Sequence, residues 1–218
     1  MNYLLYQVST YYSLARILYI IYILRMVNRM RYVTKTNVIT MNGKTWWINA
    51  RKSGVYSAML KKMIGQIEAM LSYHSKVNVI RFDLKQDVYT EKNTQITTFN
   101  RRLFKWLKRH YKLKRIGFIW CREQETAKHQ HYHYVLIIDG HKVEKAELIA
   151  NKVKKIWSEI SGSYWLPKNC YYNLKRNDYE ETQKAIFRIS YLAKARGKGY
   201  RPPQTKDYGT SRIKLKTF

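Results

Sequence analysis

The segment that most constrains the fold is His131-Tyr132-His133-Tyr134-Val135-Leu136-Ile137-Ile138, which runs into Asp139-Gly140. An unbroken apolar run closed by a turn signal has the make-up of a strand buried on both faces. Such a strand is most naturally central in a sheet, and the rest of the chain must then supply its cover. Its polar end adds a second constraint. Side chains two apart on a strand share a face, so His131 and His133 can close on one ion.

The remaining elements follow from periodicity. Val55, Met59, Met63, Ile67, Met70 and Leu71 predict an amphipathic helix over roughly 54–73, its methionines serving as core filler. A strand is expected at 77–83. Asn93-Thr94 can cap a helix with Ile96, Phe99, Leu103, Trp106 and Leu107 inside and Arg101, Arg102, Lys105, Lys108 and Arg109 outside. A strand at 116–122 precedes the histidine strand, and the short polar segment between them implies an antiparallel pair. Leu148, Ile149, Val153, Ile156, Trp157 and Ile160 mark a further helix, followed by a strand at 170–174, a helix at 179–195 and a basic tail from Gly197. The expected class is α+β, an antiparallel sheet with helices mainly on one face.

Residues 1–35 read as an amino-terminal helical extension and 36–218 as the main domain. The run Ile17–Leu24 lies between Arg16 and Arg25, short of the roughly 20 residues a membrane span needs. No small-residue cleavage site follows it, which disfavours a secretory signal. The extension reads as a helix that packs on the main domain or a partner, or as an upstream segment with Met30 or Met41 as the working start. Membrane contact of residues 1–30 is not expected.

Charge narrows the partner. Lys and Arg number 42 against 14 acids, a net charge of +28. Such a chain repels itself unless a polyanion is the usual partner, and nucleic acid is the commonest. The plainer alternative is a solvated or ribosomal-type basic surface. Among 20 tyrosines and 6 tryptophans, some can stack unpaired bases; Trp46, Trp47 and Tyr200 are candidates, with a core role equally open to the tryptophans. Cys121 and Cys170 are too few for a disulfide framework or a Cys-rich zinc site, so a reducing cytoplasm is the expected location.

Two imidazoles alone hold a divalent ion weakly and leave its charge unbalanced. A carboxylate as third ligand answers both problems, and Glu123 or Glu125 can supply it. A His₂-carboxylate set with open positions suits Mg²⁺ or Mn²⁺ on a phosphate. His129 is a further alternate histidine, spare or merely part of a loop. The bland reading of His131 and His133 is a pair of surface or hydrogen-bonded core residues. On the last helix Ala185, Ile186, Ile189, Leu192 and Ala193 form one apolar stripe, and Tyr191 falls on the other side with Lys184, Arg188 and Lys194. A phenol with a pKa of about 10 needs positive charge or a base nearby to attack phosphorus. Lys194, on the same side of the helix, can provide the charge. A ring lying over the sheet edge, or stacking on a base, is the competing reading.

Together these residues resemble the HUH endonucleases, the rolling-circle replication initiators and relaxases. More closely, the chain resembles the YagK/YfjJ family of filamentous phages (inoviruses) and prophages. The resemblance is carried by His74-Ser75-Lys76 running into Val79-Ile80-Arg81-Phe82-Asp83-Leu84, by Trp120-Cys121-Arg122-Glu123-Gln124 and by His131-Tyr132-His133. Ile189-Ser190-Tyr191-Leu192-Ala193-Lys194, Arg196-Gly197-Lys198-Gly199-Tyr200-Arg201 and Ser211-Arg212 complete it. It spans roughly residues 40–213 and implies an RRM/ferredoxin-like core.

The resemblance further implies that His131, His133 and Glu123 hold Mg²⁺ or Mn²⁺. Tyr191 would attack the scissile phosphate, leaving a 5′-phosphotyrosine and a free 3′-OH, with Lys194 positioning or activating it. Arg81, Lys184, Arg188, Arg196, Lys198, Arg201 and Arg212 would contact DNA. The implied partners are single-stranded DNA at a replication origin and a host replication helicase or polymerase. No second tyrosine stands at a fixed helical spacing from Tyr191, and Tyr171, Tyr172 and Tyr179 remain competing nucleophiles. Two other functions stay open on the same fold: a non-catalytic DNA-binding regulator and a transposase-like nuclease.

Overall fold

A computed structural model describes residues 16–19, 33–143, 145–160 and 162–217. Of the expected amino-terminal helix only residues 16–19 fall within that set; they are helical and exposed, and the rest of that expectation lies outside the described residues. The folded body begins earlier than the expected boundary. Strand β1 (Val33–Thr34) pairs antiparallel with β4 (Val55–Tyr56), tying residues assigned to the extension into the main domain. Strands β2 (Val38–Met41) and β3 (Lys44–Trp47) form a separate hairpin.

The main sheet has six strands, all paired antiparallel: β5 (Lys76–Gln86), β6 (Gly117–Glu123), β7 (His131–Asp139), β8 (Gly162–Trp165), β9 (Tyr171–Lys175) and β10 (Tyr208–Thr210). Their order is β10-β6-β7-β5-β8, and β9 pairs with the first half of β5. The histidine strand β7 is therefore central, as its composition requires. Between the strands lie α1 (Ser57–Tyr73), α2 (Thr94–Tyr111), α3 (Glu147–Ser158) and α4 (Tyr179–Ser190).

The α+β class and the antiparallel sheet agree with the sequence; the placement of the helices does not. α1 and α4 cover one face, packing Met59, Met63, Ile67, Ile186 and Ile189 on Val77, Val79, Val135 and Ile137. α2 and α3 cover the other, packing Phe99, Leu103, Val153 and Trp157 on Ile80, Phe82, Tyr134 and Leu136. The reason lies in β5 and β7. Both carry apolar residues at odd and even positions, so a sheet covered on one face alone would leave half of them in water.

Three local expectations also shift. Leu148 is 50% exposed, because α3 turns Ile149, Val153, Ile156 and Trp157 inward instead. Asn93 precedes α2 without a side-chain cap bond; its amide donates to the Lys206 carbonyl at 2.9 Å and its oxygen accepts from the Tyr132 hydroxyl at 3.0 Å. The last helix stops at Ser190, and Tyr191–Ala193 form a single 3₁₀ turn. The next residues are captured sideways: Lys194 bridges Val55, and the Ala195 amide donates to the Gly54 carbonyl at 3.1 Å. Among the described residues no helix is long and apolar enough to cross a membrane.

Candidate active site

The register of three strands assembles the site. Along one row Glu123 of β6 lies opposite His131 of β7, and along the next Cys121, His133 and Asp83 stand side by side. By strand alternation these side chains belong to the face covered by α1 and α4. They occupy its open end, where β6 finishes and β7 begins.

The donor atoms of Glu123, His131 and His133 all lie within 4.8 Å of one another, a group able to hold a metal ion. His133 Nε2 is 3.1 Å from Glu123 Oε2, and His131 Nε2 is 3.8 Å from the same oxygen. On its other side His133 Nδ1 sits 2.7 Å from Asp83 Oδ1. That bond fixes the ring and leaves Nε2 to face the centre, the arrangement that orients metal-bound histidines. Both ring nitrogens face carboxylate oxygens, an arrangement that favours the doubly protonated ring. Burial alone would lower the pKa of His133; the bonds to Asp83 and Glu123 outweigh it and raise the pKa. Burial and the neighbouring His133 lower that of His131. Glu123 is pushed up by burial, but His133 and Lys198 overcome this and hold its carboxyl down at about 2.

Glu125, the competing acid, lines the same small cleft but lies outside the three-residue group and accepts from Arg196 Nε at 2.6 Å. His129 lies in the loop before β7 and lines a neighbouring cleft, outside the three-residue group.

Tyr191 reaches the site from the end of α4, in the helical layer that covers this face. Its ring stands edge-on to His133, with centroids 5.6 Å apart. Arg81 and Lys194 each place their charge 5.2 Å from its centre. The apolar stripe beside it is fully buried while Tyr191 is 37% exposed, so its offset from the stripe holds. Its closeness to Lys194 arises from the 3₁₀ turn and the extended residue after it, not from one face of a continuous helix. Burial, with Lys52 and Arg196 nearby, lowers the pKa of Lys194. The competing tyrosines are placed otherwise. Tyr179 stacks on Trp46 and donates to the Thr45 carbonyl. Tyr171 packs against the α2/α3 core and Tyr172 against the α1/α4 core. Both also line the groove that Tyr191 lines, but the ring that stands against His133 is that of Tyr191.

After Lys194 the chain straps back over the site. The Gln124 amide donates to the Gly197 carbonyl at 2.9 Å. Gly197 has φ +75°, a backbone conformation that favours glycine. The strap delivers Lys198, whose ammonium donates to Glu123 Oε1 and to the Lys194 carbonyl, each at 2.6 Å.

The expected DNA contacts divide. Lys184, Arg196 and Arg212 are exposed and Arg188 half-buried. Lys184 and Arg188 line a large groove that ends at Tyr191, and Arg196 lines the small cleft between Tyr191 and His131. Arg212 lies beyond Ser211, which bonds Phe118 at the far end of β6 from Glu123. Three others are corrected. The Lys198 side chain is 1% exposed and spent on Glu123, so it cannot reach a strand at the surface. Arg201 is locked to Asp207 at 2.7 and 2.8 Å, anchoring the tail. Arg81 is buried, 3.7 Å from Asp83 and under the Tyr191 ring.

Sequence reasoning did not assign Asp83 its role on His133. The signal was available, since an acid inside the apolar run Val79–Leu84 must find a partner once buried. Lys52, which lines the small cleft, carried no such signal because a loop position has no periodicity to read.

Fold and site together define an α+β protein with a two-histidine, one-carboxylate cluster beside an exposed tyrosine. The family model of the YagK/YfjJ C-terminal domain matches residues 34–211, and the chain belongs to that family. Searches of curated proteins and of solved structures found no match.

Proposed function

We propose that this protein is an HUH-type endonuclease that nicks and rejoins single-stranded DNA, serving as a phage- or prophage-type rolling-circle replication initiator. The observation that carries this reading is the Tyr191 ring standing against His133, the most enclosed member of the Glu123-His131-His133 group. The Tyr191 oxygen would bond to phosphorus as the P–O3′ bond breaks, leaving a 5′-phosphotyrosine and a free 3′-OH. Its hydroxyl proton would pass to solvent, and the departing O3′ would take one up from solvent. The covalent link conserves the bond energy for rejoining. Arg81 and Lys194 flank the ring and bring positive charge to the place where the phosphate would be attacked. Asp83 holds His133 in the required orientation, and Lys198 holds Glu123.

Glu123, His131 and His133 are grouped closely enough to hold a metal ion, and on this reading the ion is Mg²⁺ or Mn²⁺. Such an ion would supply Lewis-acid polarisation of the scissile phosphate. A host polymerase to extend the 3′-OH and a helicase to open the duplex are the partners this reading requires.

One observation favours a second reading, a DNA-binding regulator without catalysis. Lys198 neutralises Glu123 from within the protein, as a bound cation otherwise would. The two readings separate on incubation with Mn²⁺ and a pool of single-stranded oligonucleotides. A covalent protein–DNA adduct that disappears in Tyr191→Phe is the result expected of the enzyme. No adduct with any sequence, alongside retained DNA binding, favours the regulator.

A further inference from the structure

Three clefts run along the site face and share residues where they meet. A groove of about 790 Å³ ends at Tyr191. Tyr191 also lines a cleft of about 250 Å³ together with Glu123 and His131. His131 in turn lines a third cleft of about 620 Å³. Neighbouring clefts thus meet at a shared residue, Tyr191 between the first two and His131 between the last two.

Their lining alternates in kind. The small central cleft sets Lys52, Lys194 and Arg196 beside Glu123 and Glu125; three cations against two carboxylates leave it net positive, a seat for phosphate. The outer clefts each carry an exposed indole, Trp47 at 60% and Trp165 at 53%, while Trp46, Trp120 and Trp157 are buried. Both residues are anchored by their backbones. The Trp47 amide donates to the Gln183 side chain and its carbonyl accepts from it, each at 2.9 Å. Trp165 lies opposite Asp83 in the β5–β8 register, extending the row that contains His133. Leaving a large ring in water forgoes burial energy, and a ring on an anchored backbone has less freedom to lose when a ligand stacks on it. Flat surface, cation, flat surface is the sequence of contacts that base, phosphate, base demands.

We propose that single-stranded DNA crosses the site along these clefts, with one unpaired base stacked on Trp47 on the Tyr191 side and another on Trp165 on the His131 side. Phe187, 45% exposed and in the same groove as Trp47, widens that first shelf. The proposal rests on the reading of the site as one for single-stranded DNA and adds where the strand lies. Bases inside a duplex already stack on each other, so the two shelves select unpaired strand.

The test uses the full chain and fluorescence anisotropy at fixed salt. One probe is a labelled oligothymidylate, the other a deoxyribose-phosphate oligonucleotide of equal length without bases. Trp47→Ala and Trp165→Ala should each weaken oligothymidylate binding by about 5- to 150-fold, the loss that one stacked base corresponds to. Trp→Phe at either position should recover most of it. The base-free strand should bind wild type and variants alike. Unchanged oligothymidylate binding in both alanine variants overturns the two shelves and leaves the strand-binding reading standing. Equal loss on both probes also overturns them, since the rings would then act through folding. Wild type that binds no single strand even at low salt overturns the functional reading itself.

Discussion

The two faces of the main sheet use the same strands for different ends. On the α2/α3 face Phe82, Phe99, Tyr134 and Trp157 interlock with rings 4.8 to 6.2 Å apart, and the Tyr134 hydroxyl donates to Asn100 at 2.7 Å. On the α1/α4 face the core is aliphatic and sulfur-containing, and it gives way at one end to Asp83, Glu123, His131 and His133. Alternation lets one strand hold both roles, since neighbours such as Phe82 and Asp83 never compete for the same environment. The aromatic face supplies rigidity, and the other face can then gather charge that contributes little to folding on its own.

The largest expected contrast is in stability. Phe99→Ala should lower unfolding free energy by about 3–5 kcal/mol in denaturant titration, the range for a large-to-small core change. Comparable loss from Tyr191→Phe would break the contrast. Next comes metal affinity. Asp83→Asn keeps the shape but weakens the hold on His133, and Mn²⁺ binding by calorimetry should fall about 10- to 100-fold. An unchanged affinity would reduce Asp83 to a packing residue.

The pH response of the charged face is smaller and has two signs. The carboxyl of Glu123 is held at about 2, below its ordinary 4.5. The stability it contributes is therefore full above pH 4.5 and is lost as pH falls towards 2. His133 is raised above its ordinary 6.5, so its contribution to the metal-free protein is full below 6.5 and is lost as pH rises through the raised value. Mn²⁺ must displace the Nε2 proton, so its binding should weaken as pH drops through that same raised value. Calorimetry on either side of neutrality reads this directly, and pH-independent affinity would contradict the doubly protonated ring.

The smallest effect belongs to the rim. Arg196 and Glu125 pair in the open, and exposed pairs add little to folding. Arg196→Ala should leave the melting temperature unchanged. It should weaken DNA binding evenly across sequences and reduce the salt slope by about one ion.

Much of this was legible beforehand because strands and helices write their burial into short-range periodicity. The β7 run marked the sheet centre, and the i, i+2 spacing of His131 and His133 placed them on one face. The offset of Tyr191 from the 185–193 stripe marked it as exposed. Where the reading erred, the cause was contact between distant segments. Helices on both faces, the end of α4 at Ser190 and the inward turns of Lys198 and Arg201 depend on what each residue meets.

The sequence by itself determined the α+β class, the central strand, the histidine pair and a tyrosine set apart from the core. Each is fixed by residue type and spacing within a few turns of chain. Only the tertiary structure decided that Glu123 rather than Glu125 closes on the histidines, that Asp83 orients His133, and that Lys198 serves Glu123. Those choices turn on strand register and on a strap that returns from more than seventy residues away. No local pattern encodes a distance between segments that meet only on folding.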